Sequence, residues 1–270
     1  MKNLFLFLFL LVVFTSKAQD NRVSGLNSRQ FTKYWKVESE SPDYKVTFQG
    51  DTAEIVSPKG LTLWRKEKMS GKVTIEYDAC VVVESDGDRL SDLNCFWMAS
   101  DPQYPDNLWK REKWRSGIFL NCYSLQLYYL GYGGNHNSTT RFRRYDGDES
   151  GITNPKARPA ILKEYTDAGH LLKPNHWYHI KITNENNRVS YYIDGERLVD
   201  FRDAEPLREG WFGFRTTLSR TRITNFSYEC SSQEAAAVPL QWIGETPRQD
   251  KAVSFGVPFD KGEVFPENKL

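Results

Sequence analysis

The sequence predicts an all-β fold, a β-sandwich of two antiparallel sheets, on three observations. Short segments alternate apolar and polar residues with a period of two. Gly, Asn, Asp and Pro punctuate those segments, and neither a long amphipathic helix nor a strand-helix-strand repeat interrupts the series. The chain has 270 residues, enough for one large core, so a single domain is expected.

In chain order, Met1-Lys2-Asn3 gives a positive start, Leu4 to Phe14 is an unbroken apolar run, and Ser16-Lys17-Ala18 is a small-x-small pattern. These are the parts of a secretory signal peptide. Residues 1–18 are expected to be removed after Ala18, leaving a secreted or periplasmic protein. The run is shorter than the roughly 20 residues of a spanning helix, so no membrane span is expected. Alternating strands are predicted at Lys45 to Phe48, Val73 to Asp78, Ser124 to Tyr128, Tyr178 to Ile182 and Arg188 to Ile193. Ala157 to Leu172, interrupted by Pro159 and Gly169, reads as a loop with at most one helical turn. Near the end of the series, alternation turns Phe212 and Phe214 toward the core and Trp211, Gly213 and Arg215 away from it.

The later segments carry a family likeness. His176-Trp177-Tyr178, Tyr191-Tyr192-Ile193-Asp194-Gly195-Glu196, Gly210-Trp211-Phe212-Gly213-Phe214-Arg215 and Ile223-Thr224-Asn225-Phe226 resemble the closing half of laminin-G and concanavalin-like domains. The likeness runs roughly from Val46 to Tyr228 and implies a concanavalin-like jelly roll over residues 19–230. Such a fold carries lectins, glycosidases and lyases alike, so it does not fix the function. Residues 231–270 form a linker, Ser231 to Ala237, and a tail. In that tail Phe255-Gly256-Val257-Pro258-Phe259 resembles the opening strand of exo-rhamnogalacturonan-lyase-like proteins. Together these likenesses imply a secreted bacterial protein of a polysaccharide-utilisation system.

A formal net charge of +1 with mixed acids and bases lacks the basic footprint of a nucleic-acid binder. Aromatic residues make up 14% of the chain, including eight Trp and fourteen Tyr. Rings of this kind stack on the C–H face of a sugar, and they also serve a sandwich core. Cys80, Cys95, Cys122 and Cys230 would meet an oxidising compartment, where disulfides form, in any of three complete pairings. No spacing suits zinc. Glu84-Ser85-Asp86-Gly87-Asp88 and Asp146-Gly147-Asp148-Glu149 offer carboxylates for a structural calcium without the full calcium-loop spacing. No other cofactor is expected.

The densest polar and aromatic stretch runs from Trp109 to Tyr145. Arg141, Arg143 and Tyr145 fall on one strand face, and guanidinium forks suit carboxylate or sulfate. A solvated edge strand paired with acids is the plainer alternative. His136 lies in a Gly133-Gly134-Asn135-His136-Asn137 loop, where backbone can approach a ligand. β-Elimination on a uronate needs a base, an acid and a partner for the carboxylate. The candidates are His136, Tyr132 and Tyr128 for catalysis, with Arg141, Arg143, Asn135, Trp97, Trp114 and Arg215 holding substrate. The first expectation is therefore a carbon-oxygen lyase or dehydratase acting on an acidic oligo- or polysaccharide of ulvan or rhamnogalacturonan type. A non-catalytic carbohydrate-binding module is the second, and a glycoside hydrolase the third.

Overall fold

The computed structural model describes residues 23–231; the expected signal peptide and the tail beyond Ser231 lie outside the described residues. Fourteen strands occur in that range: β1 (Val23–Ser24), β2 (Trp35–Ser39), β3 (Lys45–Gln49), β4 (Thr52–Arg65), β5 (Met69–Ser70), β6 (Lys72–Val81), β7 (Leu93–Ser100), β8 (Gln126–Gly133), β9 (Thr139–Asp146), β10 (Lys163–Tyr165), β11 (Tyr178–Glu185), β12 (Arg188–Ile193), β13 (Glu196–Arg202) and β14 (Glu209–Ser231). Every pairing is antiparallel. The period-two pattern explains the strands directly. In β6, Val73, Ile75, Tyr77 and Ala79 are buried while Thr74, Glu76 and Asp78 between them are partly exposed.

The architecture is a jelly-roll β-sandwich in which two long strands serve both layers. Residues 53–57 of β4 pair with 219–223 of β14, and residues 60–64 pair with 213–217. Between these stretches β14 shifts register at Leu218, which sits at φ +50°. One layer therefore runs β10-β9-β8-β7-β14-β4-β2 and the other β3-β4-β14-β6-β11-β12-β13. Aromatic rings join them across the middle. Trp97 lies 6.1 Å from Tyr191, Phe142 5.6 Å from Phe201 and Tyr77 4.9 Å from Phe214 between centroids.

The segment from residue 101 to 125, between β7 and β8, does not form a hairpin. It folds as short helical turns over the outer face of the first layer. There Leu108, Cys122, Tyr123 and Leu125 bury Trp64, Phe96, Leu127, Tyr129, Tyr145 and Trp211. Phe212 and Phe214 do enter the central core, and Trp211 turns away from it. The far side is nonetheless a second buried layer, which period-two reasoning about one core did not anticipate. Arg115, fully buried, ties the covering segment to β2, donating to Glu38 at 3.1 Å and to the Leu108 carbonyl at 2.6 Å. Burial pushes the Glu38 pKa up, against the opposing pull of Arg115.

Two expectations change here. The loop at 157–172 contains a strand, β10, which pairs with β9. The four cysteines are free thiols. Cys95 points into the central core and Cys122 into the outer cluster, on opposite sides of one layer. Cys80 sits opposite Arg222 on β14, and Cys230 is eight residues farther along that strand, roughly 26 Å away at 3.3 Å per residue. A disulfide needs Cα atoms within about 7 Å.

Candidate functional site

The strand register decides which of the sequence candidates can meet. On β8, Tyr128, Leu130 and Tyr132 face the central core, whereas Leu127 and Tyr129 face the outer cluster. On β9, Arg141 pairs with Gly131, Arg143 with Tyr129 and Tyr145 with Leu127. Arg141 and Arg143 thus share the outer face, and Tyr132 lies on the other side of the same sheet. These residues do not line one groove. Each guanidinium also has a partner of its own: Arg141 bonds Glu164, and Arg143 bonds the Pro159 carbonyl.

Burial removes three further candidates from contact with a ligand. Trp97 is 0% exposed, packed among Tyr128, Phe142 and Tyr191. Tyr128 is equally buried. Its hydroxyl donates to Asp203 at 2.6 Å and accepts from the Leu207 amide at 3.1 Å. Arg215 is 3% exposed and donates to the Gly117 carbonyl at 2.5 Å. Trp114 is exposed, but it lies on the covering segment beneath Arg111.

The Gly-Gly loop has a structural task. Gly133 sits at φ +64°, and a Cβ there would come within 2.4 Å of Leu172. Asn135, His136 and Asn137 follow at φ +52°, +57° and +59°, a left-handed turn that Asn tolerates better than most residues. Asn137 docks the following connection as a strand would. It donates to the Leu172 carbonyl at 2.9 Å and accepts from the Leu172 amide at 2.8 Å. Asn135 reaches the Thr139 hydroxyl, and His136 projects outward.

Docking Leu172 shapes a pocket of about 140 Å³ at one end of the sandwich, where the edges of the two layers meet. It is lined by Tyr132, Gly169, His170, Leu171, Lys173, His176, Tyr178, Ile193, Asp194, Glu196 and Leu198. Tyr132 and Tyr178 pack edge to face at 5.1 Å behind the pocket, 2% and 4% exposed, so only the margins of the two rings reach it. The Tyr132 hydroxyl donates to Leu171 at 3.4 Å, and the Tyr178 hydroxyl accepts from the Lys173 amide at 2.7 Å. Burial raises the Tyr132 pKa, and Tyr178, Asp194 and Glu196 raise it further. This phenol stays protonated at neutral pH.

Two imidazoles complete the rim. His170 stacks on Tyr165 at 4.1 Å and lies between Asp167, at 2.7 Å, and Glu196, at 3.3 Å. Burial disfavours its charge, but hydrogen bonds to Asp167 and Glu196 outweigh that and raise its pKa. His176 packs edge-on to Tyr178 at 4.6 Å, with Asp194 3.8 Å away. Of the sequence candidates, the pocket takes only Tyr132. Three of the four histidines of the chain fall within residues 170–179, and that clustering was the available signal.

Among the described residues no group of three or more His, Cys, Asp or Glu is arranged to hold a metal ion. Five of the six carboxylates considered for calcium have other partners, Glu84 pairing with Arg220. Asp88 accepts from the amides of Glu84 and Ser85, Asp148 from that of Ser150, and Asp146 and Glu149 pair with Arg144 and Arg111. No described helix is long and apolar enough to cross a membrane.

Comparison with known proteins agrees with this architecture. A Bacillus subtilis protein of unknown function with a galectin-like fold superposes with a TM-score of 0.61 at 16% identity, covering 79% of this chain and 96% of that one. The VIP36 exoplasmic/lumenal domain, solved with Ca²⁺ and Man3GlcNAc, gives 0.52 at 9% identity over 80% and 90%. The Emp47p carbohydrate recognition domain gives 0.50 at 14% identity over 79% and 96%. These likenesses establish the fold. No curated protein matches the sequence. Residues 236–270, which include the Phe-Gly-Val-Pro-Phe run, match the PcRGLX-like N-terminal RIFT barrel domain. Residues 55–226 match the domain of unknown function DUF6250, and the chain belongs to that family.

Proposed function

We propose that this protein is a carbohydrate-recognition module whose ligand seats a single sugar ring in the end pocket. The observation that carries the reading is the pocket itself. Its lining combines an apolar side, Ile193, Leu198 and the margins of the buried Tyr132 and Tyr178, with the polar groups of His170, His176, Asp194, Glu196 and Lys173 in about 140 Å³. A pyranose has one apolar C–H face and a girdle of hydroxyls, and it needs both kinds of surface at once. The likeness to VIP36 and Emp47p domains makes saccharides the first ligands to test. Lyase chemistry has less support, because the base, acid and carboxylate partners expected for it point to opposite faces of one sheet.

Ligand-observed NMR of the purified protein against a saccharide panel tests the proposal. Binding should be lost at least tenfold in His176→Ala, a change on the exposed rim that spares the core. Saccharide binding unaffected by that substitution would place the ligand elsewhere. Incubation with uronate polysaccharides should give no unsaturated-uronate absorbance, and a rise in that band would overturn a binding-only reading.

A further inference from the structure

We infer that the pocket discriminates by charge, preferring a ring that carries an amine to a neutral ring and excluding a uronate; this rests on the carbohydrate reading above. The argument begins with a turn. Asp194 at φ +50° and Gly195 at φ +84° connect β12 to β13, with Ile193 facing Glu196 across the hairpin. This two-residue turn brings both Asp194 and Glu196 into the lining of the pocket.

Neither carboxylate is neutralised by Lys or Arg there. One Asp194 oxygen accepts from the His179 amide at 2.8 Å, which fixes the group and leaves the other oxygen toward His176 at 3.8 Å. Glu196 meets only the edge of His170, at 3.3 Å. Asp167 adds a third acid behind His170, at 2.7 Å. Lys173 is the sole Lys or Arg in the lining. The acidic field reaches inward, because Asp194 and Glu196 both act on the Tyr132 hydroxyl.

Asp194 and Glu196 are 49% and 69% exposed, so water screens them in part; a sugar carboxylate seated here still meets two like charges, offset by Lys173 and by His170 when it is protonated. An ammonium gains from the same pair. The arginines that would suit an acidic sugar, Arg141 and Arg143, serve the opposite face of the sheet.

The test holds ring stereochemistry fixed and varies only charge. Glucose, glucosamine and glucuronate, then galactose, galactosamine and galacturonate, are titrated into the full mature chain by ligand-observed NMR at neutral pH. In the series that binds, the amine should exceed the uronate at least tenfold, with the neutral ring between. The variant Asp194→Asn/Glu196→Gln keeps the turn-compatible residue and the acceptor for His179. It should compress that ratio to about twofold while the neutral ring binds as before; tenfold corresponds to about 1.4 kcal/mol. Tighter uronate binding, or an unchanged ratio in the variant, overturns the charge inference alone. Binding by no member of either series overturns the carbohydrate reading, and the inference falls with it.

Discussion

Asn137 and His136 show how neighbouring residues in one turn divide their tasks. Asn137 supplies both hydrogen bonds that hold Leu172, so Asn137→Ala should cost about 1–3 kcal/mol by stranding a partly buried amide and carbonyl. It should also weaken saccharide binding through the displaced pocket wall, and urea denaturation alongside a titration reads both effects. His136 has a left-handed backbone at φ +57° and an exposed side chain. Glycine adopts that conformation without the penalty of a Cβ. His136→Gly should therefore be neutral or stabilising by up to about 1 kcal/mol and should leave saccharide binding intact. A loss above about 2 kcal/mol, or lost binding, would show that the imidazole does something its surroundings do not reveal. Tyr128 is a simpler case. Its hydroxyl serves Asp203 and Leu207 at once, and Tyr128→Phe should cost about 1–3 kcal/mol in the same assay.

The covering segment at 101–125 and the turn at 167–170 are elements held by charge. Arg115→Met would leave Glu38 buried without its guanidinium and should destabilise the fold by about 3–5 kcal/mol. Adding Glu38→Gln should recover most of that loss. If the two changes instead add as independent losses, the pair is not what anchors the segment. The 167–170 turn responds to pH through His170, whose folded pKa lies above its ordinary value of 6.5. Its contribution to stability is complete below that ordinary value and disappears as pH rises through the raised one. The melting temperature of the wild-type protein should thus exceed that of His170→Gln near pH 5.5, and the gap should close on the alkaline side. An unchanged gap across this window would mean that the imidazole contributes through packing on Tyr165 alone.

At the scale of the whole molecule, the free thiols give a direct check on the core. Burial pushes the Cys95 and Cys122 thiols up to about 12 and also raises those of Cys80 and Cys230. A thiol reagent near pH 8 should find Cys230 first, because it alone is not fully buried, and should label all four cysteines only after unfolding. The sandwich was legible in the sequence because alternation at Val73 to Asp78, Tyr178 to Ile182 and Arg188 to Ile193 directly encodes a half-buried strand. The pocket was less legible. Tyr132 comes from β8, Tyr178 from β11 and Glu196 from β13, and only the three-dimensional register brings such distant positions together. The arginine cluster misled for a related reason: a one-residue offset along neighbouring strands decides which side of a sheet a side chain occupies. β14 carries one more implication, which concerns time. This strand of 23 residues pairs with β4, β6 and β7 and is a member of both layers, yet the ribosome makes it after the other thirteen described strands. A nascent chain halted before Glu209 has neither sheet completed and leaves an edge of each of β4, β6 and β7 bare, so completion of the sandwich waits for β14 and the unfinished chain needs protection from aggregation until then.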